Sequence, residues 1–393
     1  MYPRLILKKG SERRQLMGHP WVYDGEVVRV EGNPADGDVA DCASFNGTFL
    51  GRGLYNSQSK IRLRVLTRQA SKQVDDDLLR TRIARALERR QHLYPQASCL
   101  RLIHAEGDGL PGFTVDRYED VLVIQCTSLG MDRRLSDLST MLSELTGITR
   151  FYLRNDINTR RNDGLPLHSG FLGEPFSTSL KIRECGSAFE IDVATGHKTG
   201  FYLDQMDNHL ALHELVAPGS TVLDAFCYGG AFAIHAAVAG AGHVLAMDSS
   251  PPALEMALHN AELNRVNATC RFEEANVFNR LREMVGSGQQ FDLIILDPPS
   301  FTHNRKSVPR ALKGYKEINL RALRLLRPGG LLMTFTCSYY VDRSRFEDML
   351  TEAAADARRQ LIVRKRLGQA AHHSEVLAIP ETHYLKGVVV EAW

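Results

Sequence analysis

At 393 residues the chain is long for one domain and suits two or three. Its apolar and charged fractions, 44% and 24%, are those of a folded globular protein, so disorder is not the default. A net charge of +2 gives no chain-wide nucleic-acid signature, and no stretch nears the ~20 apolar residues needed to cross a bilayer.

The first nine residues hold a short apolar run and no small-residue cleavage site, which argues against a signal peptide. Seven scattered cysteines, never in a Cys-x-x-Cys pair, disfavour a disulfide framework and a structural zinc site. A cytoplasmic enzyme is expected. Up to Thr67, Trp21–Tyr23, Glu26–Val30, Val39–Ala43 and Ile61–Leu66 read as short strands between glycine- and proline-rich turns, the pattern of a small β-barrel. Residues 1–68 carry eleven Lys/Arg against seven Asp/Glu, clustered at Lys8–Arg14 and Lys60–Arg68, where phosphate could be met.

Asp75–Tyr94 has Leu78, Leu79, Ile83, Leu87 and Leu93 near helical spacing and predicts a helix bridging two domains. A compact α+β segment follows, with strands at Cys99–His104, Gly112–Asp116, Val121–Cys126 and Arg150–Arg154 and a helix at Asp132–Leu145. From about Ile182, apolar strands at Val222–Asp224, Val244–Asp248, Leu293–Asp297 and Leu331–Cys337 alternate with helices at Ala231–Ala239, Pro252–Asn264 and Lys316–Leu326. Such alternation predicts a parallel sheet covered on both faces, with ligands at the carboxyl ends of its strands.

The first of these strands runs into Asp224-Ala-Phe226-Cys-Tyr228-Gly-Gly230, and the second ends in Asp248, whose carboxylate suits ribose hydroxyls. No G-x-G-x-x-G follows this strand, so a ligand without a pyrophosphate fits better than a dinucleotide. Asp297-Pro298-Pro299-Ser300-Phe301 sets a carboxylate before a stiff loop that can address the edge of a flat base. An aromatic fourth residue would favour methylation of an exocyclic amine; here Ser300 stands in that place. On the next strand Cys337 ends at the same sheet edge, with strands ~4.8 Å apart. A thiolate there can attack carbon 6 of a pyrimidine and make carbon 5 nucleophilic, while Asp297 binds the base edge. His209 and His213 have i, i+4 spacing but no third ligand in view, so no metal is expected. His372-His373 read as a surface loop, with a pocket rim as the alternative.

These residues resemble the ribosomal RNA large subunit methyltransferase I family. The likeness runs nearly end to end: Glu106-Gly-Asp-Gly-Leu-Pro-Gly, Gly196-His-Lys-Thr-Gly-Phe-Tyr-Leu-Asp-Gln, Asp297-Pro-Pro-Ser-Phe, Gly314-Tyr-Lys-Glu-Ile-Asn, Thr336-Cys-Ser and Tyr384-Leu-Lys-Gly. The resemblance implies a multidomain chain: a PUA-like β-barrel for RNA over 1–70, a central α+β domain over 71–181, and an α/β Rossmann-like class I methyltransferase domain over 182–393. It implies S-adenosyl-L-methionine as cofactor, held by Asp224, Phe226, Tyr228, Gly230, Asp248, Asn276, Val277 and Asp297, with Phe201, Asp204 and Gln205 covering it. Asn276 stands where the family commonly has Asp. Cys337 is implied as the nucleophile, with Asp297 and the 298–301 loop at the base. The expected activity is formation of 5-methylcytosine in large-subunit ribosomal RNA, with no membrane partner. The alternatives are methylation of a guanine nitrogen, or a non-catalytic RNA-binding assembly factor. Some relatives dimerise, which leaves a homodimer open.

Overall fold

A computed structural model describes residues 2–302 and 304–393, which form two compact units. One unit takes the described residues through Ile182 together with Ile191–Leu203 and Ala371–His383; the other takes Arg183–Glu190, Asp204–Ala370 and Tyr384–Trp393. Among the described residues no helix is long and apolar enough to cross a membrane.

The first unit opens with a six-stranded sheet of β1 (Arg4–Leu7), β2 (Trp21–Tyr23), β3 (Val27–Glu31), β4 (Val39–Ala43), β5 (Phe49–Tyr55) and β6 (Ile61–Thr67), in the order β2-β6-β5-β4-β1-β3. Leu5, Leu7, Val22, Ala40, Cys42, Leu63 and Val65 form its core. Glycine is needed at 53, because a Cβ there would stand 1.9 Å from the Arg64 carbonyl oxygen of β6. Of the expected basic clusters, Lys60–Arg68 is largely spent inside the unit, whereas the cationic residues of Lys8–Arg14 are exposed. Arg64 pairs with buried Asp163 at 3.0 Å, Arg62 pairs with Asp24, and Arg68 donates to the Gln15 and His19 carbonyls. Lys9, Arg13 and Lys60 remain exposed.

A helix at Asp76–Leu93, capped by the Asp75 carboxylate on the Leu78 N–H, leads into β7 (Cys99–His104), β8 (Phe113–Tyr118), β9 (Val121–Cys126), β10 (Arg150–Asn155) and β11 (His168–Leu172), which form one sheet. Arg90 of that helix is 1% exposed, so its charge must be answered locally. It makes two 2.7 Å hydrogen bonds to Asp108 and donates to the His372 carbonyl and Ser374 Oγ. These contacts draw 372–374 inward, so His372 and His373 are buried and not the surface loop expected from sequence.

A hairpin of β12 (Ser179–Glu184) and β13 (Ser187–Asp192) precedes the second unit's seven-stranded sheet. Its strands are β14 (Thr221–Ala225), β15 (His243–Asp248), β16 (Cys270–Glu274), β17 (Phe291–Leu296), β18 (Leu326–Thr336), β19 (Leu361–Gly368) and β20 (Lys386–Ala392), in the order β16-β15-β14-β17-β18-β20-β19. β14 to β18 run parallel to one another, as the alternation predicts. β20 is antiparallel to both β18 and β19, a departure from the all-parallel expectation. The chain reverses between β19 and β20 without a crossover helix, so no alternation announces the change. Helices at Ala231–Val238, Pro251–Leu263, Val277–Ser287, Val308–Leu325 and Arg343–Ala357 intervene. Leu223, Met247, Ile294, Leu296, Tyr315, Ile318, Leu332 and Phe346 sit in the core beneath the site.

Candidate active site

Three strands deliver carboxylates to one edge of the second unit's sheet. Asp224 lies near the end of β14, Asp248 ends β15, and Asp297 follows β17 directly. The register pairs Ala225 with both Met247 and Leu296, so the three groups converge. Asp224 is fully buried, and neither of its oxygens has a hydrogen-bond partner of normal geometry. Burial, then the charges of Asp297 and Asp248, push its carboxyl up to about 8, with the Ala233 N–H acting weakly the other way. An acid left so is suited to a cationic ligand.

The loop after β14 is held in a strained shape. Phe226 and Tyr228 have φ of +69° and +46°, which costs a non-glycine residue about 1–3 kcal/mol each. The amides of Phe226 and Cys227 both donate to the Met247 carbonyl, and the Tyr228 N–H donates to Asp248 at 2.9 Å. The other Asp248 oxygen accepts from the Ser250 N–H at 3.0 Å. Gly230, at φ +78°, starts the helix, and a Cβ there would stand 2.9 Å from that of Ala257. Glycine at 230 thus lets the loop and its helix pack closely on Ala257 and Phe272. Asn276 is the exposed N-cap of the helix Val277–Ser287, its side-chain oxygen accepting from the Asn279 N–H at 3.2 Å, and Val277 is buried below it.

Gln205 donates to Asp297 at 2.8 Å and accepts from Asn208 at 2.6 Å, while Asn208 also donates to the Gly368 carbonyl. Asp204 accepts from the Tyr384 hydroxyl at 2.8 Å. Phe201 belongs to the first unit instead, where its N–H donates to the Tyr118 hydroxyl, itself 2.9 Å from Thr199. Asn208 and Tyr384 were not singled out from sequence. Asn208 stands one helical turn from Gln205, and Tyr384 opens a matched motif; those were the available signals.

Cys337 follows the last residue of β18, three places beyond the Leu296–Thr334 pair, so it reaches the edge where Asp297 lies. It is half-buried, whereas Cys42, Cys99, Cys126, Cys227 and Cys270 are buried. Burial pushes Cys42, Cys126 and Cys270 up to about 12, which disarms them as nucleophiles. The loop after Asp297 is anchored by its own side chains. The Ser300 hydroxyl lies 2.9 Å from that of Ser338 and donates to the Thr302 carbonyl; Ser338 in turn lies 2.8 Å from the Tyr315 hydroxyl. Phe301 packs on Tyr315 and Phe278 with centroids 4.5 and 5.7 Å away. Pro298 is buried and Pro299 exposed.

His209 is brought together with Glu184 and His235. Its Nδ1 meets Glu184 at 3.0 Å, and His235 Nε2 meets the other Glu184 oxygen at 2.7 Å. All three side chains are buried, with ligand atoms within 4.8 Å of one another. Burial alone would raise the Glu184 pKa, but His209 and His235 more than offset it and hold the carboxyl well below its ordinary range. These distances are those of a hydrogen-bonded trio.

A family model for a PUA-like domain matches residues 5–68, and one for S-adenosylmethionine-dependent methyltransferases matches 110–382. The chain is 41% identical to "Ribosomal RNA large subunit methyltransferase I" of Shewanella amazonensis over 99% of both chains, and 40% identical to the protein of that name from Tolumonas auensis over the full length of each. Among solved structures it is similar to a "putative sam-dependent methyltransferase" from Streptococcus mutans, with TM-score 0.83 at 19% identity over 99% of each chain. A methyltransferase structure complexed with SAH matches at TM-score 0.84 and 20% identity over 99% of each chain. At such identity the structural likeness establishes the fold alone. It agrees with the multidomain architecture of a PUA-like sheet and a Rossmann-like methyltransferase sheet.

Proposed function

Because the chain belongs to the ribosomal RNA large subunit methyltransferase I family and is S-adenosylmethionine-dependent, we propose that it methylates carbon 5 of a cytosine in large-subunit ribosomal RNA through a covalent Cys337 adduct. The observation that carries the proposal is Cys337 itself, a half-buried thiol at the carboxyl edge of β18 beside Asp297. A guanine-nitrogen transfer needs no thiol at that place.

The bound cofactor supplies an electrophilic methyl group on a sulfonium. Asp248, with both oxygens already fixed by amides, keeps lone pairs for ribose hydroxyls. Asp224 answers positive charge, the 226–230 loop lets the ligand approach closely, and Asn276 and Val277 border the adenine. Asp204 and Gln205 line the site. Gln205 holds Asp297 in place for the cofactor's amino group and for the edge of the base. Pro299 meets the base, while Pro298, Ser300 and Phe301 keep that loop in shape. Cytosine within structured RNA must be flipped out to reach this edge, with the 1–70 domain holding RNA backbone and 71–181 linking it to the 182–393 catalytic domain.

RNA carrying 5-fluorocytosine tests the chemistry, since fluorine cannot leave as a proton does and the adduct persists. The expected result is a denaturation-resistant protein–RNA band that Cys337→Ala abolishes along with turnover. An alanine variant with normal turnover would sink the covalent mechanism.

A further inference from the structure

Covalent attack leaves one requirement open: something must favour the thiolate of Cys337. Lys386 is the first residue of β20 and pairs with Thr336, the last residue of β18. Its side chain is almost wholly buried, at 2% exposed. Nζ donates to the Ser338 carbonyl at 2.9 Å, so the amine is tied to the residue that follows Cys337. Among the described residues it makes no ion pair with a carboxylate. A buried cation without a carboxylate is costly and needs an explanation.

We propose that Lys386 is the counter-charge that prepares Cys337 as a thiolate. The proposal rests on Cys337 being the nucleophile. In the first step the Lys386 amine takes the Sγ proton, giving ammonium and thiolate. A thiolate lone pair then forms the Sγ–carbon 6 bond as the carbon 5–carbon 6 pair moves toward carbon 5, which bonds the methyl carbon while the old carbon–sulfur pair leaves with the cofactor sulfur. Water takes the carbon 5 proton, that pair rebuilds the double bond, and the Sγ–carbon 6 pair returns to sulfur. The thiolate is again beside the ammonium, and one proton is released per methyl transferred. Lys386 acts on the thiol without touching the base.

The electrostatics agree. Burial lowers the Lys386 pKa to about 8, the Cys337 charge raises it, Arg343 lowers it and Asp342 raises it. The pull is reciprocal, since a charge that favours the ammonium is favoured by it.

The test measures alkylation of Cys337 by iodoacetamide across pH 5.5–9.5, read by peptide mass spectrometry, in wild type, Lys386→Met and Lys386→Arg. Methionine matches the shape without the charge. The expected profile inflects at least about one unit higher in the methionine variant, roughly tenfold slower alkylation at pH 7, and stays near wild type in the arginine variant. S-adenosylmethionine calorimetry on each variant reports an intact fold. Overlaid wild-type and methionine profiles overturn the assignment. If the methionine variant loses cofactor binding, the arginine variant decides: a profile at wild-type pH supports the role, and one shifted upward overturns it. The 5-fluorocytosine trap on wild type is run alongside. No trap there removes the nucleophile reading, whereas a trap with overlaid alkylation profiles removes Lys386 alone.

Discussion

Asp224→Asn is expected to stabilise the ligand-free protein, and by an amount that grows with pH. Folding raises this carboxyl from 3.8 to about 8, through burial first and then through Asp297 and Asp248. The folded state therefore keeps a proton that the unfolded chain releases, so stability falls as pH rises from 3.8 and levels off above about 8. At about 1.4 kcal/mol per unit, the roughly four units between those values amount to ~5–6 kcal/mol above pH 8, and ~4 kcal/mol at pH 7. The amide removes that charge cost but adds an N–H₂ that needs acceptors, which returns about 1–3 kcal/mol. A net gain of ~2–5 kcal/mol at pH 8.5 is expected, shrinking toward pH 5. Thermal melts of ligand-free wild type and variant at pH 5, 7 and 8.5 measure it. A variant that melts at or below wild type at pH 8.5, with an unchanged pH slope, refutes the reasoning. The companion measurement is S-adenosylmethionine binding at pH 7 in buffers of different ionisation heat: wild type should release protons on binding, and Asp224→Asn should not.

Gly53→Ala should abolish cooperative unfolding of the N-terminal sheet or cost over ~4 kcal/mol, since its Cβ cannot coexist with the Arg64 carbonyl at 1.9 Å; urea melts followed at Trp21 report it. Gly230→Ala should weaken S-adenosylmethionine at least about tenfold in calorimetry, because both its φ of +78° and the 2.9 Å approach to Ala257 oppose a side chain. Glu184→Gln should cost ~1–3 kcal/mol at pH 7 by leaving the buried His209 and His235 ring nitrogens with a poorer partner. Glu184 has a lowered pKa in the folded state, so its contribution is present above the ordinary 4.5 and is lost as pH falls below it; the gap between variant and wild type in denaturant melts should narrow there.

Cys99–His104, Val121–Cys126 and Val39–Ala43 were legible to the residue because apolar runs there end at turn residues. β5 was hidden because Gly51 and Gly53 weaken its strand signal while being what lets it approach β6. The helix Val308–Leu325 begins eight residues earlier than Lys316, since Pro309 and a basic first turn mask its start. In the site, Asp224, Asp248 and Cys337 were legible as polar residues ending apolar strands. The inward turn of His372-His373 was not, because it depends on Arg90 and Asp108, more than 260 positions away. Lys386 was hidden likewise: a charged residue before Gly-Val-Val-Val reads as a solvated strand end, and only the register against β18 buries it.

The interleaving of the two units reaches beyond catalysis to how such a gene can be cut. The chain changes unit five times, at Ile182, Glu190, Leu203, Ala370 and His383. A fragment ending at 182 would leave the buried Arg90 with Asp108 but without the His372 carbonyl and Ser374 that also accept from it. No single break in the gene yields both units whole. Recombination between relatives should therefore succeed when residues 191–203 and 371–383 travel with the N-terminal segment, and fail at the boundary that looks most natural on a linear map.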